Sequence, residues 1–140
     1  MKGLEMEFNT AFGFVPIDKR RTISKPRKSG ITMVSDYQLG LASLSDLIEV
    51  AGHYIDLFKI ATGTSRLFEK THLQAKIEML RANDIRPFLG GQFQEYVLHT
   101  IGVDAMPRHL SEAQALGFDI IEVSDNMVQL GQGLRQQLCD

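Results

Sequence analysis

The chain has 140 residues, of which 44% are hydrophobic and 23% are charged. This balance is close to ordinary globular usage and far from the low hydrophobicity that keeps a chain disordered. Its length suits one domain with a substantial core. The formal net charge of −2 gives the whole molecule no field that favours nucleic acid or an anionic membrane as a partner.

The cellular setting is indicated by the cysteine count and by the hydropathy of the chain. Cys139 is the single cysteine, so no intramolecular disulfide is possible and a reducing compartment is expected. No stretch approaches the ~20 apolar residues of a membrane span, and the N-terminus carries charges where a signal peptide has its apolar core. We therefore expect a soluble cytoplasmic protein.

The chain divides into three parts by composition. Residues 1–28 lack a sustained period and predict an N-terminal extension, whose basic residues indicate a solvated arm or, alternatively, steering of an anionic substrate. From residue 29 to 130, short apolar runs alternate with amphipathic segments, which predicts four βα units. Residues 131–140 predict a polar C-terminal tail.

The first two βα units follow in order. Residues 31–34 form a β-branched run that predicts a buried strand, and apolar residues at helical spacing over 41–51 predict a helix that Gly52 ends. Residues 54–60 predict the second strand, with a loop over 61–65. A capping-box match over 71–74 predicts the start of the second helix, which ends near Asn83.

The second half of the pattern is weaker at one point. Residues 85–89 predict a third strand, although Pro87 cannot donate a ladder hydrogen bond. An amphipathic stretch follows Gly90 and Gly91, and a helix over 107–116 is expected to stop at Gly117. Residues 118–123 predict the fourth strand. Four such units fit an open doubly wound sheet or half of a (β/α)8 barrel, and periodicity alone does not choose.

Six blocks along about three quarters of the chain carry a resemblance. They read GITMVSD (30–36), GHYIDLFK (52–59), GTS (63–65), KIE (76–78), GG (90–91) and LGFDIIEVSD (116–125). In this order and spacing the chain resembles the phosphosulfolactate synthase family of barrel enzymes. The resemblance implies the first half of a TIM-type (β/α)8 barrel. It also implies magnesium-dependent addition of sulfite to phosphoenolpyruvate, an early step toward coenzyme M.

The chain departs from the family pattern at four positions. Tyr37 replaces a lysine, Thr62 an aromatic residue, Gln92 a threonine and Asn126 a glycine. The lost lysine matters most, because it removes a cation beside a polyanionic substrate. This change predicts a different substrate or weakened chemistry.

The implied reaction requires fixed positive charge and a proton donor. Sulfite attack leaves carbanion character beside a carboxylate, which a cation stabilises before protonation. Lys59 is the candidate because it ends the second strand, where barrel enzymes build their sites; a structural rim lysine is the alternative. Glu122 lies in an apolar strand, so its charge needs a partner. If Glu122 is catalytic, the partner is Lys59, a metal or a substrate-bound cation; the alternative is a structural ion pair.

Further candidates follow other strand ends. Asp36 and Asp125 are expected to bind magnesium, with helix capping as the alternative. Gly63, Thr64 and Ser65 offer N–H groups and hydroxyls to a phosphate, and glycine pairs permit close backbone approach. The full set of predicted substrate-binding residues is Gly63, Thr64, Ser65, Gly90, Gly91 and Glu95, the last of which matches a family glutamate.

Half a barrel has a consequence for association. Strands one and four would be unpaired hydrophobic edges, which favour pairing with another chain, so two copies closing one barrel as a homodimer are one expectation. A truncated product is the other and is favoured by the polar tail. Two functions therefore stand: a lyase acting on a small anionic phosphorylated substrate, or an inactive half-barrel that binds an anion or a partner chain.

Overall fold

The computed structural model describes residues 11–16, 18, 20 and 24–139, so much of the predicted N-terminal extension lies outside the described residues. Three short 3₁₀ turns, Gly52–Tyr54, Thr64–Leu67 and Val103–Ala105, connect the longer elements. The longer elements are β1 (Met33–Asp36), α1 (Leu41–Ala51), β2 (Leu57–Ile60), α2 (Lys70–Arg81), β3 (Arg86–Leu89), α3 (Gly91–Thr100), α4 (Met106–Leu116), β4 (Ile120–Ile121) and α5 (Gln132–Cys139).

The four strands pair in parallel and in chain order, β1-β2-β3-β4. A doubly wound sheet contains a point where the strand order reverses, whereas the strands of a (β/α) barrel follow one another around its axis. The α/β fold of parallel βα units is therefore confirmed, in the strand arrangement of half a barrel. Within the described residues, β1 and β4 are the two outer strands.

The core lies between the sheet and the helices packed on one of its faces. Phe58 and Ile60 of β2 have no exposed surface and belong to one cluster with Leu44 of α1 and Ile77 of α2. Successive residues of a strand point to opposite faces of a sheet. Lys59, between Phe58 and Ile60, therefore points away from the helices.

The first strand is displaced by two residues, to Met33–Asp36, and the expectation that it is buried is wrong, since only its last residue is buried. The other strands are shorter than predicted. The second strand begins at Leu57 rather than at residue 54, and only Ile120 and Ile121 of the predicted 118–123 pair with β3. Ile55 and Phe118 are nevertheless buried, each just before its strand starts to pair. An apolar run therefore predicts which residues are buried, and in this protein the buried residues extend beyond those that pair in the sheet.

Pro87 lies inside β3 without breaking it. The N–H of Arg86 donates to Asp56 O on the β2 side, at 2.9 Å, so alternation turns the nitrogen of Pro87 toward β4. The pairing of β4 with β3 begins only at Ile120, opposite Phe88. The missing N–H of Pro87 therefore costs no hydrogen bond between the two strands. The carbonyl of Pro87 still accepts from Asp119 N at 3.4 Å.

Two helical features differ from expectation. The predicted capping box over 71–74 is wrong, since α2 begins at Lys70 and its N-cap Glu69 makes no side-chain cap hydrogen bond. The predicted polar tail contains α5, which has no buried residue. Among the described residues, no helix is long and apolar enough to cross a membrane.

Part of the predicted solvated arm is fixed to the opposite end of the sheet from Lys59. Arg27 and Asp56 form a buried ion pair at 2.9 Å, and Arg27 also donates to His53 O and Tyr54 O. Asp56 accepts from Thr32 N at 2.8 Å. The expectation that Arg27 is solvated is wrong, because its side chain is buried against Asp56 at the amino-terminal end of the sheet.

Candidate active site at the carboxyl ends of the strands

The two residues predicted to be catalytic meet at the carboxyl end of the sheet. Lys59 Nζ lies 2.9 Å from Oε1 and 2.6 Å from Oε2 of Glu122, and their side chains are 21% and 35% exposed. The same ammonium lies 5.9 Å from the ring centroid of Phe88, its neighbour in the β2–β3 register. A lysine–carboxylate pair that solvent reaches can exchange one partner for an anionic ligand. The catalytic roles stay predictions.

Glu122 is held as a carboxylate by its surroundings. Burial raises its pKa and is the largest single effect, but the N–H of Gly91 at 2.7 Å and the ammonium of Lys59 together outweigh it. The resulting pKa lies below the ordinary value of 4.5, although the charge of Glu95 works against the shift. Gly91 is the first residue of α3, where the helix dipole also favours an anion. Glu122 is therefore a carboxylate at neutral pH.

Glu95 anchors the loop after β4. Its carboxylate has no exposed surface and accepts hydrogen bonds from the Ser124 hydroxyl, from Met127 N at 2.5 Å and from Val128 N at 2.8 Å. Burial acts to raise the pKa of Glu95, yet these donors outweigh it and the pKa lies below the ordinary value. The predicted contact with substrate stays a prediction, and no oxygen of Glu95 faces solvent to make it.

The two predicted magnesium ligands do not converge. Asp36 ends β1 and Asp125 follows β4, so two strands lie between them. Asp36 is closed to solvent in an ion pair with Lys76, and Asp125 pairs with Arg135 in the open. The described residues contain no group of three or more His, Cys, Asp or Glu side chains that could hold a metal ion. Asp36 and Asp125 therefore do not fit a shared magnesium site in this part of the chain.

Asp36 instead shapes the loop after β1. Its Oδ1 accepts from Gln38 N at 2.9 Å and from Leu39 N at 2.7 Å. The ammonium of Lys76 pairs with its other oxygen and also donates to Leu39 O at 2.6 Å. The alternative that Asp36 caps a helix is wrong, because Gln38 and Leu39 precede α1, whose N-cap Gly40 makes no side-chain cap hydrogen bond.

The predicted phosphate loop after β2 is a tight turn. Thr62 and Gly63 both have positive φ angles, 50° and 76°. Thr64 and Ser65 are buried, and the hydroxyl and N–H of Thr64 both donate to Ala61 O, at 2.8 and 3.0 Å. The Thr64 hydroxyl is therefore engaged within the turn.

The glycine pair after β3 allows close packing within the protein. A Cβ on Gly90 would lie 3.0 Å from Ile60 O and 3.1 Å from Lys59 Cε. A Cβ on Gly91 would lie 2.5 Å from Ser124 Oγ and 2.8 Å from Glu122 O, closer than real Cβ atoms come. Both glycines therefore bring the start of α3 against the lysine–glutamate pair.

One residue of this end went without a role in the sequence reading. The sequence pattern assigns Lys76 no role, yet this residue forms the buried pair with Asp36. It lies three residues after Leu73 and four before Leu80, both on the buried face of α2. A charged residue in the apolar stripe of a helix needs a buried partner, and that spacing was the available signal.

The parallel sheet and its polar carboxyl end define a protein of the (β/α)-barrel class, whose sites lie at the ends of strands. Residues 20–140 match the family model described as (2R)-phospho-3-sulfolactate synthase (ComA). The chain belongs to this family.

The names of two curated relatives agree with this family, and all three relatives described below are longer than this chain. The phosphosulfolactate synthase of Methanothermobacter thermautotrophicus is 38% identical over 106 residues, which cover 76% of this chain and 40% of the relative. That of Methanocaldococcus jannaschii is 32% identical over 69% of this chain and 37% of the relative. Protein HEAT-STRESS-ASSOCIATED 32 of Arabidopsis thaliana is 28% identical over 76% and 37%. The chain thus spans about two fifths of the length of the relatives it matches.

Proposed function

We propose that this chain supplies the lysine–glutamate part of a phosphosulfolactate synthase-like site, which adds sulfite or a similar nucleophile to phosphoenolpyruvate. One observation carries the proposal: the Lys59–Glu122 pair is partly exposed at the carboxyl end of the sheet. Family membership supplies the reaction, and the pair supplies a cation where that reaction needs one.

The proposed chemistry uses the charge and the proton of Lys59. The sulfur of sulfite forms a bond to the methylene carbon, and the π electrons of the double bond move onto the substrate carboxylate. The ammonium of Lys59 stabilises this extra negative charge, while Glu122 holds the ammonium in position. A proton from the ammonium then passes to the carbon that bears the phosphate ester, and general acid catalysis of this kind contributes ~10²- to 10⁴-fold.

Magnesium enters this proposal through the family alone. Asp36 and Asp125 do not converge, so no described residue is assigned to the ion. Magnesium binds proteins through few carboxylates and through substrate phosphates, so the phosphoenolpyruvate phosphate is its proposed main ligand.

A product assay tests the proposal. The protein is incubated with Mg2+, sulfite and phosphoenolpyruvate, and the sulfonate product is measured by mass spectrometry, with EDTA in a parallel sample. We expect product from the wild type and at least a ~100-fold lower rate from Lys59→Gln, which loses both charge and proton. Lys70→Gln is the matched control, because Lys70 lies in an exposed pair with Glu112 on the helices. Absence of product from a folded wild type rejects the proposal.

A second candidate is a half-barrel without activity that pairs with another copy of this chain. The outer strand β1 favours it, since Ile31 and Met33 expose apolar side chains beside an edge that no described strand covers. The replacement of a family lysine by Tyr37 is consistent with lost activity. Sedimentation velocity separates the cases: a monomer at micromolar concentration rules out closure by pairing, and a dimer without sulfonate product supports this candidate.

A further inference from the structure

A cavity of about 470 Å³ opens between the turn after β2 and the first turns of α3. Its walls include Thr62, Arg66 and Leu67 on one side and Gln92, Phe93 and Tyr96 on the other. The volume falls within the ~300 to 1,000 Å³ range of small-molecule sites.

The cavity borders the lysine–glutamate pair without including it. Gln92 directly follows Gly91, whose N–H donates to Glu122. Thr62 follows β2, the strand that carries Lys59, by two residues. A ligand seated in the cavity would therefore contact residues that directly follow, along the chain, those of the candidate reaction centre.

Arg66 gives the cavity an available positive charge. Its side chain is exposed, and its guanidinium has no ion pair or hydrogen bond among the described residues. The other cations at this end are engaged: Lys59 by Glu122 and Lys76 by Asp36. A guanidinium binds a carboxylate, phosphate or sulfonate through two parallel hydrogen bonds, so an anionic group is the complement of this wall.

The opposite wall is apolar and partly aromatic. Phe93 and Tyr96 project from α3, and the exposed side chain of Leu67 adds apolar surface from the side of Arg66. An apolar or planar body would remove this surface from water. The cavity therefore combines one anion-binding group with a surface for a hydrophobic body.

The backbone of the turn is held in an unusual state at this wall. Thr62 is β-branched and has a φ of 50°, a left-handed conformation that such residues rarely adopt. Gly63 follows at 76° and packs so closely on Phe93 that a Cβ would lie 3.2 Å from its ring. Strained residues of this kind concentrate at ligand sites, where the surrounding structure fixes them. Here the turn packs Gly63 against Phe93 of α3, three residues before Arg66.

We propose that this cavity is a subsite for an organic anion, whose carboxylate, phosphate or sulfonate pairs with Arg66 while its apolar or aromatic body lies on Phe93 and Tyr96. This inference rests on the proposed function only in assuming that the reaction takes place at Lys59. It adds that the site prefers a substrate larger than phosphoenolpyruvate.

Binding of three probes tests the subsite without any turnover. Phenyl phosphate, inorganic phosphate and phenol are titrated into the protein, and amide shifts are followed by NMR. We expect shifts at Arg66 and Gln92 and a Kd for phenyl phosphate at least ~10-fold lower than for either fragment, because only phenyl phosphate fills both walls. Equal affinity for phenyl phosphate and inorganic phosphate overturns the proposal.

Variants assign the two walls separately. Arg66→Gln should weaken phenyl phosphate binding by at least ~10-fold, whereas Arg108→Gln, an exposed arginine on α4, should leave it unchanged. Tyr96→Ala should weaken phenyl phosphate but not inorganic phosphate. An unchanged Kd in Arg66→Gln overturns the subsite. Phenyl phosphate binding without sulfonate product rejects only the proposed function, and product without phenyl phosphate binding rejects only the subsite.

Discussion

Two carboxylates at strand ends are each paired with a lysine, and solvent reaches one pair but not the other. Lys76 and Asp36 have no exposed side-chain surface, whereas Lys59 and Glu122 are 21% and 35% exposed. In the closed pair, two backbone N–H groups bind one oxygen of Asp36, the ammonium of Lys76 pairs with the other, and a carbonyl accepts from that ammonium. The open pair keeps a face toward solvent.

The difference separates a structural role from a functional one. A closed ion pair cannot exchange a partner for a ligand without leaving a buried charge behind, which is strongly unfavourable. An open pair can, because water and the remaining donors solvate whichever ion is released. Of the two lysine–carboxylate pairs, Lys59–Glu122 is therefore the one suited to bind substrate.

The largest expected effect comes from breaking the closed pair. Lys76→Met leaves the charge of Asp36 buried and unpaired, and we expect the free energy of unfolding to fall by about 3–5 kcal/mol in a denaturant titration. Lys70→Met is the matched control on the same helix, since Lys70 and Glu112 are 60% and 59% exposed at 3.2 Å. That variant should change stability by less than about 1 kcal/mol. Equal losses would contradict the distinction between closed and open pairs.

A steric change at the open pair should come next. In Gly91→Ala the new Cβ would lie 2.8 Å from Glu122 O and nearer still to Ser124, so the end of β4 must move. We expect a loss of about 2–3 kcal/mol in the unfolding free energy, as for other overpacked positions. Gly133→Ala in α5 is the control because its Cβ would meet nothing within 4 Å. A silent Gly91→Ala would show that the contact of α3 with β4 is loose.

The anchor of the β4 loop should respond to pH. The folded pKa of Glu95 lies below 4.5, so its carboxylate contributes stability that is present above that value and lost as pH falls through the folded pKa. Glu95→Gln should remove part of this slope and lower the unfolding free energy at neutral pH by about 1–2 kcal/mol, since its amide N–H group meets donors. Glu122 leaves a remaining slope of the same sign. An unchanged slope in denaturant titrations across acidic pH would show that Glu95 does not hold the loop.

Local patterns predicted the elements well where the conformation of a single residue decides the structure. Gly117 ends α4 with a φ of 99°, as a glycine stop signal predicts. The strand that contains Pro87 was predicted correctly, but the reason Pro87 is tolerated could not be, because it depends on where the neighbouring strand begins to pair. Strand ends were overestimated for a similar reason, since Ile55 is buried before the ladder starts. Pairing between strands is a property of the fold, which no window along the chain contains.

The candidate site was also predicted only in part, because local signals identify its polar residues but not their partners. Lys59 and Glu122 could be proposed from strand ends, since the carboxyl ends of parallel strands lie along the same edge of a sheet. Asp36 and Asp125 have the same signal, but the strand order places them at opposite edges of the sheet. The partner of Asp36 lies 40 residues further along the chain on α2, and only the packing of that helix on the sheet brings the two together. Residue type predicted which groups are polar at this end, and the fold decided which of them pair.

The smallest expected stability change completes the comparison. Lys59→Met removes the cation of the open pair, but Glu122 keeps the N–H of Gly91 and its contact with water. We therefore expect the unfolding free energy to change by less than about 1 kcal/mol in the same denaturant titration used for Lys76→Met. A loss as large as that of Lys76→Met would mean that the fold depends on both pairs equally. Exposure would then no longer single out Lys59 and Glu122, and the candidate site would lose the observation that separates it from a structural ion pair.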